Sequence, residues 1–275
     1  MRRPWGNAER FGFLVSDDFP HAFGKRGYDG GFRVVAGRPQ TLSGKTPLRV
    51  TEIYRSIQGE GSLTGTSCVF VRASGCNLRC WFCDTPHSSW YPEGEDLSVA
   101  EILGRIEILD CGHVVLTGGE PMLFAELIPL CEGIAERERH ITIETAGTLY
   151  LPLPCHLMSI SPKLAGSAPD DQQHPKWHAR HEQSRHRPEI VRQLMDEHPY
   201  QLKFVIDTPE DLARMQDYLA EIGDPSTEQV YLMPQGTDVE ALDGRAAWLE
   251  PWAERHGMHF CQRKQIEWFG FTRGT

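Results

Sequence analysis

Three of the chain's eight cysteines, Cys76, Cys80 and Cys83, lie in one short stretch, FVRASGCNLRCWFCDT from Phe70 to Thr85. Three residues separate the first pair and two the second, so a single loop can bring three thiolates to one centre. A structural zinc site wants four ligands, and a protein-held iron–sulfur cluster usually wants four cysteines. A cubane held by only three leaves one iron open to an outside ligand, and an open metal site implies chemistry. With His87 close by, the same residues can also bind zinc, and a cysteine-rich turn can act as a redox switch. A second stretch, Thr117-Gly118-Gly119-Glu120-Pro121, suits close approach of backbone to a ligand. Its glycines remove side-chain bulk, and Glu120 can accept hydrogen bonds from an ammonium group.

The elements that must position these residues follow from periodicity. Arg49–Ser56 and Ser67–Ala73 alternate like strands, joined by a turn containing Gly59, Gly61 and Gly65. Ser98 and Glu101 form a capping-box pattern before Ile102, Leu103, Ile106 and Leu109 at helical spacing. His113–Thr117, His140–Glu144, Leu157–Ser161, Gln201–Ile206, Gln229–Met233 and Met258–Gln262 read as further strands. Helices are expected over Met122–Arg137, Glu189–His198, Pro209–Ile222 and Val239–His256. Such alternation means parallel strands with right-handed crossovers. About six β/α units fit residues 48–275, fewer than the eight of a full barrel of about 250 residues. The expected fold is therefore α/β, an incomplete (β/α)6 barrel. In such folds the reactive groups collect where the strands end, which places both chemical stretches on one rim.

Residues 1–47 differ from the rest: rich in Gly and Arg, net positive and without sustained periodicity. They read as an irregular extension, partly docked through Trp5, Phe11, Phe13, Phe19 and Phe23 or partly disordered. The chain is 40% hydrophobic and 24% charged, ordinary for a soluble protein with a sizeable core. No apolar run is long enough for a membrane span, and the N-terminus lacks a secretory h-region. Cysteines without a signal suggest cytoplasmic thiols and metal ligands, and Cys68, Cys111, Cys131, Cys155 and Cys261 read as small buried hydrophobes. A formal net charge of −10 argues against direct nucleic-acid binding. His174, His178, His181 and His186 lie in a polar segment, 165–187, which reads as a mobile lid rather than a second metal site.

The C-x3-C-x2-C loop with aromatic Phe82 before its last cysteine, followed by the Gly118-Gly119-Glu120 turn, resembles the radical S-adenosylmethionine (SAM) superfamily. The segments Glu52–Gly61, Phe70-Val71-Arg72, Cys83-Asp84-Thr85, Glu144-Thr145, Ser161-Pro162-Lys163 and the ending Trp268 to Arg273-Gly274-Thr275 narrow the likeness to the 7-carboxy-7-deazaguanine synthases. That resemblance implies a lyase that converts 6-carboxy-5,6,7,8-tetrahydropterin to 7-carboxy-7-deazaguanine with loss of ammonia, on the route to queuosine. It implies a [4Fe-4S] cluster, SAM as a reusable source of a 5′-deoxyadenosyl radical, and Mg2+. It also implies an electron donor such as a flavodoxin and a homodimer.

Carried over position by position, the resemblance makes Cys76, Cys80 and Cys83 the cluster ligands and gives Thr85 to Mg2+. Phe82, Cys83, Asp84, Gly119, Glu120, Ser161, Pro162 and Lys163 would meet SAM. Ile57, Gln58, Gly59, Arg72 and Thr117 would meet the pterin, with the Arg72 guanidinium on its carboxylate. The α-carboxylate of Thr275 would close the pyrimidine side, and the aromatic-rich segment before it is expected to be buried. No side-chain nucleophile is required. Two other functions share parts of this pattern: a glycyl-radical-enzyme activase acting on a protein, and a non-catalytic zinc or iron–sulfur scaffold.

Overall fold

A computed structural model describes residues 46–275. The expected extension therefore lies, but for its last two residues, outside the described residues. The first strand, β1 (Leu48–Ile57), is antiparallel to its two neighbours, β2 (Ser67–Ala73) and the short β3 (Glu95–Leu97). From β2 onward the sheet is parallel, through β4 (His113–Gly118), β5 (His140–Thr145), β6 (Leu157–Ile160), β7 (Tyr200–Ile206), β8 (Val230–Pro234) and β9 (His259–Phe260). The order β3-β1-β2-β4-β5-β6-β7-β8-β9 leaves two ends that do not pair with each other, so the barrel is incomplete as expected. The antiparallel start departs from an all-parallel reading. A short Gly-containing turn, with Gly65 N bonding back to Gln58 O at 2.8 Å, can only return the chain beside the strand it left.

Seven helices are described: α1 (Val99–Ile108), α2 (Leu127–Ala135), α3 (Pro175–Arg185), α4 (Pro188–Glu197), α5 (Pro209–Glu221), α6 (Val239–Arg255) and α7 (Lys264–Phe269). The Ser98–Glu101 capping box is present: Glu101 N donates to Ser98 Oγ at 3.2 Å and Ser98 N to Glu101 Oε2 at 2.8 Å. Such a cap contributes about 1 kcal/mol. The helix expected from Met122 starts later, at Leu127, because Pro121–Leu123 first form a separate 3-10 turn. No helix joins β5 to β6.

Strand alternation sorts the side chains into two environments. Val69, Val71 and Ala73 of β2, Val114 and Leu116 of β4, Ile141 and Ile143 of β5, and Leu202, Phe204 and Ile206 of β7 enter one large core with the helices. The residues between them face the other way: Phe70 and Arg72, Thr117, Glu144 and Lys203 border a cavity instead. A period of two thus turns each strand into one wall of the core and one wall of the site.

The segment expected to be a mobile lid is instead helix α3, with His181 fully buried. Its four histidines do not converge. His174 packs on Trp90, His178 Nδ1 lies 2.8 Å from Pro169 O, His181 bonds Arg79 N, and His186 pairs with Glu221. The sequence PKWHARHEQSR has no apolar stripe to announce a packed helix, which is why it read as a loop.

Candidate active site

The C-terminal ends of the strands open onto a cavity of about 450 Å³. Its wall on one side is the cysteine loop. Backbone contacts fix that loop at both ends: Ser74 N bonds Arg49 O at 2.9 Å and Gly75 N bonds Ser88 O at 2.8 Å. Farther along, Arg79 N donates to His181 Nδ1 at 3.1 Å, and Trp81 N to Ser167 O at 3.1 Å. The Trp90 indole donates to Cys80 O at 3.1 Å. Cys76, Cys80 and Cys83 all face the cavity, and none is in a disulfide.

The donor set fits a cluster. Burial pushes the Cys76 and Cys80 thiols up to about 12, so a thiolate in this wall needs a cation such as iron beside it. Among the described residues no three His, Cys, Asp or Glu side chains converge closely enough to share one metal ion. A cubane takes one thiol per iron and so does not require three thiols on one metal ion.

The glycine turn lies against this loop. A methyl on Gly118, whose φ is +137°, would overlap the Ala73 carbonyl, and one on Gly119 would overlap the carbonyls of Gly75 and Ser88. Gly119 N bonds Ala73 O at 3.1 Å and Glu120 N bonds Gly75 O at 2.9 Å. Glu120 is fully buried behind the wall, and its carboxylate accepts from Thr145 Oγ1 at 2.8 Å, Ala146 N at 2.8 Å and Met122 N at 3.1 Å. Two of these donors share Oε1 and one takes Oε2, and burial raises the pKa of the group. Pro162 is also off the main wall, lining a smaller neighbouring hollow.

The other expected residues come together on the same cavity: Ile57, Gln58, Gly59, Arg72, Phe82, Asp84, Thr85, Thr117, Gly119, Ser161, Lys163 and Thr275. Lys163 Nζ is held by Ser161 O and Oγ, each at 2.7 Å. Arg72 already has protein partners, Glu52 Oε1 at 2.7 Å and Tyr54 Oη at 3.1 Å. The chain end is anchored by charge rather than by apolar burial. Arg273 pairs with Glu52 at 3.2 Å and Glu93 at 2.9 Å, while Trp268, Phe269 and Phe271 are exposed, against expectation.

Sequence reasoning missed the floor of the cavity. Lys203 Nζ, nearly fully buried, donates to Glu60 at 3.0 Å and Glu144 at 3.2 Å. Gln58 Nε2 reaches the same Glu144 oxygen at 3.2 Å, and Gln265 Nε2 reaches Glu60 at 2.6 Å. Arg263 joins Glu60 at 3.4 Å and also pairs with Asp84 beside the cysteine loop. Burial would push the Glu60 carboxyl up, yet Lys203 and Arg263 outweigh it and hold the group well down. For Lys203 burial acts downward and the two carboxylates raise it, so the ammonium stays charged. One signal was available: Gln201 and Lys203 are polar residues two apart in an otherwise apolar strand, a spacing that turns both to one face.

The radical SAM superfamily model matches residues 70–157. The 7-carboxy-7-deazaguanine synthase of Rhodopirellula baltica is 43% identical over 232 residues, 84% of this chain and 90% of that protein. The chain belongs to the 7-carboxy-7-deazaguanine synthase family. The synthase of Halobacterium salinarum is 41% identical over 229 residues, covering 80% of this chain and 89% of its own. In fold, the chain superposes on the crystal structure of QueE from Escherichia coli with a TM-score of 0.60 at 21% identity, covering 78% of this chain and 93% of that one. As a radical SAM enzyme of this synthase family, the protein uses a [4Fe-4S] cluster, SAM and Mg2+.

Proposed function

We propose that this cavity converts 6-carboxy-5,6,7,8-tetrahydropterin to 7-carboxy-7-deazaguanine with release of ammonia, a step toward queuosine and related deazapurines. The observation that carries the reading is the shared cavity: three loop cysteines, the Gln58-Gly59 turn, Arg72, Thr117 and the last residue all open onto it. Cys76, Cys80 and Cys83 would hold the cluster. Phe82, Cys83, Asp84, Gly119, Glu120, Ser161, Pro162 and Lys163 would meet SAM. Together the bound cluster and SAM supply one-electron chemistry able to take a hydrogen atom from an unactivated C–H bond.

The chain's own residues bind and orient the substrate. Gln58 and the Gly59 backbone face the guanine-like edge of the pterin, and Arg72, already steadied by Glu52 and Tyr54, presents its remaining donors to the carboxylate. Thr117 and the Thr275 α-carboxylate close the other sides. The Thr85 hydroxyl offers a hard oxygen to Mg2+. Lys203 sits between Glu60 and Glu144, where it can pass or hold a proton during loss of ammonia. Orientation and exclusion of stray hydrogen donors are the protein's share of the rate.

The reading extends to a small electron-transfer protein such as a flavodoxin as reductant, a homodimer and a cytoplasmic setting. No described helix is long and apolar enough to cross a membrane. The division into an extension at 1–47 and a barrel at 48–275 is also part of it, supported by β1 beginning at Leu48.

Anaerobic reconstitution followed by chromatographic detection of the deazapurine tests the whole. Wild-type protein forms product; Cys76→Ala, Cys80→Ala and Cys83→Ala each abolish it and lower bound iron. Product formation by any one of these variants at the wild-type rate removes the reading.

A further inference from the structure

Arg79 lies in the cysteine loop, directly before Cys80, and is 7% exposed. Its Nη1 donates to the carbonyls of Cys76 and Leu78, both at 2.7 Å, while its Nε has no partner. The guanidinium carbon lies 4.0 Å from the centre of the Trp177 ring, and Arg180 approaches the same ring at 5.3 Å. Helix α3, which carries Trp177, is held down by buried His181, which itself accepts the Arg79 backbone N–H. Among the described residues no carboxylate lies within ion-pair distance of Arg79. Buried guanidinium groups are normally paired, because removing a lone charge from water is expensive. Its bond to the Cys76 carbonyl and its place directly before Cys80 put the guanidinium against the cysteine loop.

We propose that Arg79 is the built-in counter-charge of the iron–sulfur cluster and sets how readily that cluster accepts an electron. The inference rests on Cys76, Cys80 and Cys83 being the cluster ligands. One-electron reduction makes the cluster and its three thiolates more negative by one unit. A fixed cation therefore stabilises the reduced form more than the oxidised form. Trp177 keeps water from the guanidinium, so its field is poorly screened, and the two carbonyl bonds hold it in place. A unit charge within about 10 Å at an effective dielectric of about 20 shifts such an equilibrium by about tenfold or somewhat more.

The test compares wild type, Arg79→Gln, Arg79→Lys and Trp177→Leu after anaerobic reconstitution. Iron and sulfide per chain are measured, and the reduced fraction is read by electron paramagnetic resonance at a fixed poised potential. Arg79→Gln lowers the ratio of reduced to oxidised cluster about tenfold, equivalent to about 59 mV for a one-electron couple. Arg79→Lys keeps the charge and stays near wild type. Trp177→Leu admits water and falls between. Arg79→Gln with full iron and a wild-type reduced fraction overturns the proposal, as do Gln and Lys variants lowered alike. If Arg79→Gln retains no iron, Trp177→Leu decides, and an unchanged reduced fraction there overturns it. Wild-type protein that binds no iron overturns the ligand assignment, which is a separate failure.

Discussion

The two ends of the same strands treat charge in opposite ways. β5 carries Glu144, part of the Lys203 and Glu60 network, one residue before its end at Thr145, and begins at His140. There His140 is stacked between His113, which opens β4, and His156, just before β6, at ring separations of 4.6 and 4.9 Å. His156 Nδ1 accepts from Ile141 N at 3.0 Å, whereas the Nδ1 atoms of His113 and His140 have no partner. Burial drives titratable groups toward neutrality at both ends. At the cavity end, opposite charges in contact overcome it, and Lys203 and Glu60 stay ionised. At the histidine end no such partner exists, so burial, reinforced by the neighbouring imidazoles, lowers His140 to about 4. Paired charge serves recognition and chemistry, while unpaired neutrality serves packing.

Changes at the cavity end give the largest effects. Extending the chain beyond Thr275 with a tag, or deleting Thr275, abolishes turnover and leaves iron content intact, as an assay of product and iron on the same sample would show. Full activity in either variant takes the terminus out of the site. Lys203→Met removes the cation shared by Glu60 and Glu144, leaving half-buried Glu144 without one while Glu60 keeps Arg263, a loss of about 3 kcal/mol in denaturant unfolding as well as of activity. A loss below about 1 kcal/mol would mean that the network is solvated and contributes as a surface pair does.

The histidine end gives a smaller, pH-dependent effect. The folded His140 value lies below the ordinary 6.5, so the unfolded chain binds a proton that the folded chain refuses. Stability is full above about pH 6.5 and declines as pH falls toward about 4. Replacing His140 with Phe keeps a stacked ring but removes the titration. Thermal melts of that variant show a shallower decline over this window, with product formation at neutral pH unchanged. An identical slope would show that other groups govern acid stability.

Much of the fold was legible because strands with one face on the core have a strict period. Ser67–Ala73 matches β2 residue for residue, and Pro209 and Val239 begin their helices where expected. The cysteine side of the site was legible because its residues are neighbours in sequence. The floor was not, because its pairs are distant: Lys203 stands 143 residues from Glu60 and 59 from Glu144. Only the fold selects such partners. The partners of Glu120 were hidden for a related reason, since Thr145 and Ala146 stand at the end of the next strand and not in its motif.

The joint between the cysteine loop and β4 is made of main chain alone, with Gly118 and Gly119 pressed against the carbonyls of Ala73, Gly75 and Ser88. A joint without side chains does not depend on rotamers or on which residues flank it. Divergence can therefore proceed at the surrounding positions, letter by letter, while the metal-bearing segment keeps its station to the strand beside it.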